Sequence, residues 1–94
     1  MIVEKFECDD NYEAEKLAGF LATQKDNGNF LLGIVALVQN EVVIILKDKS
    51  SHSITMKDRH TAVRLKSFIE DVLAQKKGIS ASSFNDQVAE ITIR

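Results

Sequence analysis

The chain has no proline, one cysteine, four glycines and two histidines in 94 residues. With Cys8 alone, no disulfide can close within the chain, which fits a reducing compartment. One thiol and two histidines, His52 and His60, match no zinc-ligand spacing, and no metal or other cofactor is expected. Gly28 and Gly33 belong to no loop of the kind that cradles a phosphate. No apolar run reaches the roughly 18–20 residues that a membrane helix needs, and no basic-then-apolar leader opens the chain. The expectation is a soluble cytoplasmic protein without membrane association. No linker, low-complexity segment or internal repeat stands out, so residues 1–94 read as a single domain.

Charge is present in both signs, with a net of -2. Its distribution is uneven. Glu4, Glu7, Asp9, Asp10, Glu13, Glu15 and Asp26 outweigh Lys5, Lys16 and Lys25 over residues 1–26. Lys47, Lys49, Lys57, Arg59, Arg64 and Lys66 outweigh Asp48 and Asp58 later on. Two solvated faces that partly neutralise one another explain this. The alternative is a basic segment, residues 47–66, that binds nucleic acid through phosphate contacts. Base stacking would need exposed aromatics, and Phe68, the aromatic within reach, belongs to an apolar helix face.

Periodicity predicts the elements. "MIVEKFEC" reads as a strand over residues 1–8. Asp10, three before Glu13, is placed to cap a helix over residues 11–25, with Glu13 reaching back, and Ala14, Leu17, Ala18 and Leu21 form its buried stripe. The stretch "FLLGIVALVQNEVVIILKD" breaks at Gln39-Asn40, which predicts a hairpin of Leu31–Val38 with Glu41–Lys47. "SITM" reads as a short strand over 52–56. A second helix starts at Thr55 or Asp58, with Ala62, Leu65, Ile69, Val72 and Leu73 on one face. Gly78 ends it, "SASSFND" reads as a loop and "VAEITIR" as the last strand. The order β-α-β-β-β-α-β predicts an α+β two-layer sandwich: a mostly antiparallel sheet of four to five strands, two helices on one face, loosely ferredoxin-like.

No residue set carries catalysis. Asp9 and Asp10 are adjacent, so their carboxylates point apart. Ser50, Ser51 and Ser53 flank His52 without a third group to orient it. Cys8 ends a strand and reads as core. What remains is the hairpin, whose strands are apolar on both faces although two helices can cover only one. A second copy, loops of the chain itself, or a different partner could cover the other. The commonest solution is a two-fold dimer with one patch facing itself. Assigning the bulkier Phe30, Leu32 and Ile34 to the helices leaves Leu31, Gly33, Val35, Leu37, Val43 and Ile45 as the interface. The functional expectation is a non-enzymatic binding or regulatory protein that acts through protein-protein contacts, as a homodimer and on a further protein partner whose identity the sequence does not reveal.

Overall fold

The computed structural model describes residues 2–25, 34–46, 49–75 and 78–93. Strand β1 (Ile2–Glu7) leads into helix α1 (Asn11–Lys25); β2 (Val35–Val38) and β3 (Glu41–Ile45) form a hairpin, and β4 (Ser51–Thr55) follows. Helix α2 (Arg59–Gln75) leads into a second hairpin, β5 (Ile79–Asn85) and β6 (Val88–Ile93). Both helices begin on an aspartate cap. Glu13 N donates to Asp10 Oδ1 at 2.9 Å and Thr61 N donates to Asp58 Oδ1 at 2.8 Å, satisfying amides that a helix start otherwise leaves open. The expected return bond from Glu13 is replaced by an ion pair to Lys16 at 2.8 Å. Removing the cap with Asp10→Ala should cost about 1 kcal/mol, seen as a fall of several degrees in the thermal midpoint.

The topology departs from the ferredoxin-like expectation in two respects. There is a sixth strand: Ile79–Asn85, read from sequence as a loop, pairs with β6 across its length. The strands form two three-stranded antiparallel sheets, β1-β6-β5 and β2-β3-β4, rather than one. Serine-rich β5 has little strand propensity of its own. It is held by its partner and by Ser82, whose hydroxyl donates to the carbonyl of Ala18 in α1 at 2.7 Å. A single core joins both sheets and both helices, and includes Phe6, Leu17, Leu21, Val42, Ile44, Ile54, Leu65, Ile69 and Ile91.

The two sheets meet at a bridge between Cys8 and Met56, and around it the chain is related to itself. Asp9 N donates to Thr55 O at 3.0 Å, and Lys57 N to Glu7 O at 3.1 Å. Cys8 N donates to Gln87 O and Met56 N to Asn40 O. The side-chain amides repeat this relation, Gln87 donating to Cys8 O and Asn40 to Met56 O. Asn11, at the start of α1, reaches the carbonyl of Asp86, while Arg59, at the start of α2, reaches that of Gln39. Gln39 and Asp86 are the first residues of the two hairpin turns and share a left-handed backbone, with φ of 56° and 55°. The chain is therefore two β-α-β-β units about an approximate two-fold axis, although its sequence displays no repeat. Asp10, Ala14, Leu17 and Phe20 recur as Asp58, Ala62, Leu65 and Phe68. Each unit places its first strand against the other's hairpin: β1 pairs with β6, and β4 with β3. Helix α1 lies on β5 and β6, and α2 on β2 and β3.

Candidate functional site: an apolar sheet face

Register decides which hairpin residues face out. A two-residue turn at Gln39-Asn40 sets Val38 opposite Glu41, Ala36 opposite Val43 and Val35 opposite Ile44. Directly opposed residues share a face. Val42 and Ile44 are fully buried, so Val35 and Leu37 turn inward with them and pack on the core. The outer face carries Ile34, Ala36 and Val38 beside Glu41, Val43 and Ile45. Ile45 N donates to Ile34 O at 3.0 Å, which extends this face by one pair. Ile34 is 67% exposed and Val38 59% exposed.

This corrects half of the sequence assignment. Val43 and Ile45 lie on the outer face as expected. Val35 and Leu37 do not, and Ile34, assigned to the helices for its bulk, points to solvent. Leu31 and Gly33 lie outside the described residues. The outer face of β2-β3-β4 is thus apolar on its first two strands, with Glu41 at one end and Ser51, Ser53 and Thr55 along β4.

The outer face of the other sheet differs. It carries Lys5, Glu7, Ser83, Asn85, Glu90 and Thr92 together with Val3, Ala81 and Val88, and Val3 is 50% exposed; Lys5 Nζ lies 3.9 Å from Glu90 and Lys57 Nζ 3.1 Å from Glu7. A shallow, open depression of about 330 Å³ on this side is lined by Lys5, Ser83, Phe84, Asn85, Asp86, Val88 and Glu90. Its lysine and nearest carboxylate are already paired.

The basic segment is largely committed within the fold. Arg64 lies 3.6 Å from Glu4, donates to Lys5 O at 3.0 Å and covers the ring of Phe6. Lys66 pairs with Glu70 at 3.1 Å, in the i, i+4 arrangement, and Arg59 donates to Gln39 O. Lys57 is held by Glu7. Lys49 is exposed, with a left-handed φ of 71°, and Lys47 lies outside the described residues. Phe68 packs on Phe6, centroids 5.2 Å apart, rather than presenting a stacking surface. Lys57, Arg59, Arg64 and Lys66 thus each make a contact within the fold.

His52 is not in a loop, as its sequence setting suggested. It lies on β4 opposite Ile44 and packs against Phe20, with ring centroids 4.7 Å apart. Among the described residues no three His, Cys, Asp or Glu side chains come together as a metal site, and no helix is long and apolar enough to cross a membrane. Cys8 is fully buried. Burial first, and then the nearby Glu13, Asp10 and Glu7 carboxylates, push its thiol up to about 12. It is a thiol rather than a nucleophilic thiolate at neutral pH. A thiol reagent at pH 8 should leave the native protein unmodified and label it fully in denaturant. Because the folded thiol titrates higher than the unfolded one, its contribution to stability is intact below about pH 8.5 and declines as pH rises toward 12.

The chain was compared with protein-family models, curated proteins and solved structures, and nothing matches it in any of the three.

Proposed function

We propose that this is a non-enzymatic binding protein that acts through protein-protein contacts and works as a homodimer, with the outer face of β2-β3-β4 as the contact surface. The observation that carries this reading is the exposure of Ile34 and Val38 beside Ala36, Val43 and Ile45 on one side of a hairpin whose other side already forms the core. Each Å² of apolar surface left wet costs about 25 cal/mol. Contiguous apolar patches of this kind mark interaction sites on soluble proteins.

A second copy suits this face because of its charge. Among the described residues the face holds no lysine or arginine, and Glu41, at the end of the hairpin, is its carboxylate. A two-fold axis through such a face sets apolar groups against apolar groups and keeps like charges apart. A small regulator, adaptor or inhibitor would use a dimer of this kind to present its remaining surface to another protein. Sedimentation from low to high micromolar concentration tests the reading. The expected result is a dimer that dissociates on dilution; a monomer throughout that range would refute it.

A further inference from the structure

The two units interlock. One holds β1, α1, β2 and β3, and the other β4, α2, β5 and β6. Strand β1 pairs with β6 and β4 with β3, Cys8 bridges Met56, α1 covers β5 and β6, and α2 covers β2 and β3. Each of these contacts runs from one unit to the other. A single short connection, from Leu46 to Ser50, links the units along the chain. It turns the chain back so that β4 can lie beside β3: Leu46 N donates to Ser50 O at 2.8 Å, and Lys49 N to Leu46 O at 2.9 Å. To make this turn Lys49 takes a φ of 71°, a left-handed backbone that costs a residue with a side chain free energy.

We infer that the chain exchanges units with a second copy of itself: the connection at Lys49 opens, and the first unit of each copy packs with the second unit of the other. The partner follows from the interface. The surface that β1, α1 and β3 present is complementary to β4, β5 and β6, and a second copy carries those same strands. All the contacts between units are made again across the two copies, and two copies leave no unit unmatched. What changes is the connection, where β3 runs on toward β4 and Lys49 regains an extended backbone. Short hinges under strain favour such an exchange. The closed chain wins at low concentration, because its units are tethered at high effective concentration. The exchange uses the interface between units rather than the outer face of β2-β3-β4, so it stands independently of the dimer proposed above.

Two disabled full-length chains test it. Ile44→Lys disables the first unit and Ile91→Lys the second, since both isoleucines are fully buried. Either chain alone should be unfolded, because every pairing of units would contain a buried lysine. Mixed in equal amounts from denaturant, they should regain close to half of the native circular dichroism signal, because an exchanged pair assembles one set of units free of both substitutions. The rescue should persist when both chains also carry Ile34→Lys, which removes the outer-face contact. Wild-type protein refolded at high micromolar concentration should yield a dimer that survives dilution, whereas a dimer joined at the outer face dissociates. Lys49→Pro cannot take a φ of 71° and lacks the N–H that Leu46 O accepts, so it should raise the ratio of surviving dimer to monomer roughly tenfold. Lys49→Gly accepts that backbone and should lower the ratio. A mixture as unfolded as its components would overturn the exchange. Where either lysine variant folds by itself, the surviving wild-type dimer decides, and its absence would overturn the exchange. Rescue with no response to Lys49→Pro and Lys49→Gly would overturn the role of the connection.

Discussion

Ile44→Lys should abolish the folded circular dichroism spectrum, whereas Ile34→Lys should leave it intact. Ile44 lies on β3 and Ile34 immediately precedes β2 in the same hairpin, and the same charge is introduced at each. Ile44 is 0% exposed and sits in the shared core, and Ile34 is 67% exposed. An unpaired ammonium at Ile44 would have no acceptor and no water, which costs several kcal/mol on top of the lost apolar burial. A domain of this size has a net stability of about 5–15 kcal/mol, so most of the margin disappears. At Ile34 the ammonium stays in water, and the expected loss is of self-association rather than of structure. A folded Ile44→Lys together with an unfolded Ile34→Lys would show that the faces are the other way round.

That inversion is the one the sequence invites. Side-chain volume favours Phe30, Leu32 and Ile34 as the buried set, since a sheet under helices needs bulk. Turn geometry contradicts it. Once Gln39-Asn40 is a two-residue turn, Val38 must share a face with Glu41, and a carboxylate at a strand end belongs in water. Every second residue back from Val38 then faces out with it, through Ala36 to Ile34. The information was present in the spacing between Val38 and Glu41, and volume was the weaker guide.

Other features were legible for the same kind of reason. The aspartate caps, the span of α1 and the hairpin at Gln39-Asn40 rest on local chemistry that side chains announce directly. In the turn itself the positive φ falls on Gln39, and Asn40 is held through its own carbonyl and side-chain amide to Met56. Strand β5 was illegible because "SASSF" carries no strand pattern. Its conformation is imposed by pairing with β6, and its serines are explained by contacts that are distant in sequence, such as Ser82 with Ala18. The internal repeat was hidden because the recurring residues are a cap and three positions on a helix face, a pattern that any amphipathic helix can supply. What reveals it is the hydrogen bonding around Cys8 and Met56, which involves backbone groups and so leaves little trace in residue identity.

The exchange of strands between the two units carries the second large effect. Separated at the connection between β3 and β4, neither half should hold its structure as a lone monomer. The first half keeps β1, α1 and the β2-β3 hairpin, but β1 loses β6, and α1 loses the β5 and β6 surface that it covers. Phe6, Cys8, Leu17 and Leu21, all buried in the intact chain, would face water. The second half loses the partners of β4 and the hairpin beneath α2 in the same way. A piece of some 45 residues with its apolar stripe uncovered lies near the size at which a single core no longer sustains a fold, and an isolated helix of this length is marginal in water. Each half alone should therefore show mostly disordered circular dichroism, or associate with itself in imitation of the intact chain. Equimolar mixing should restore the helical signal and give one particle with the mass of the whole protein. The connection itself contributes only loop-closure entropy, which grows slowly with length, so its loss weakens assembly without changing the structure that forms. A half that sediments as a helical monomer would show that each unit completes its own core, which the pairing of β1 with β6 and of β4 with β3 does not allow.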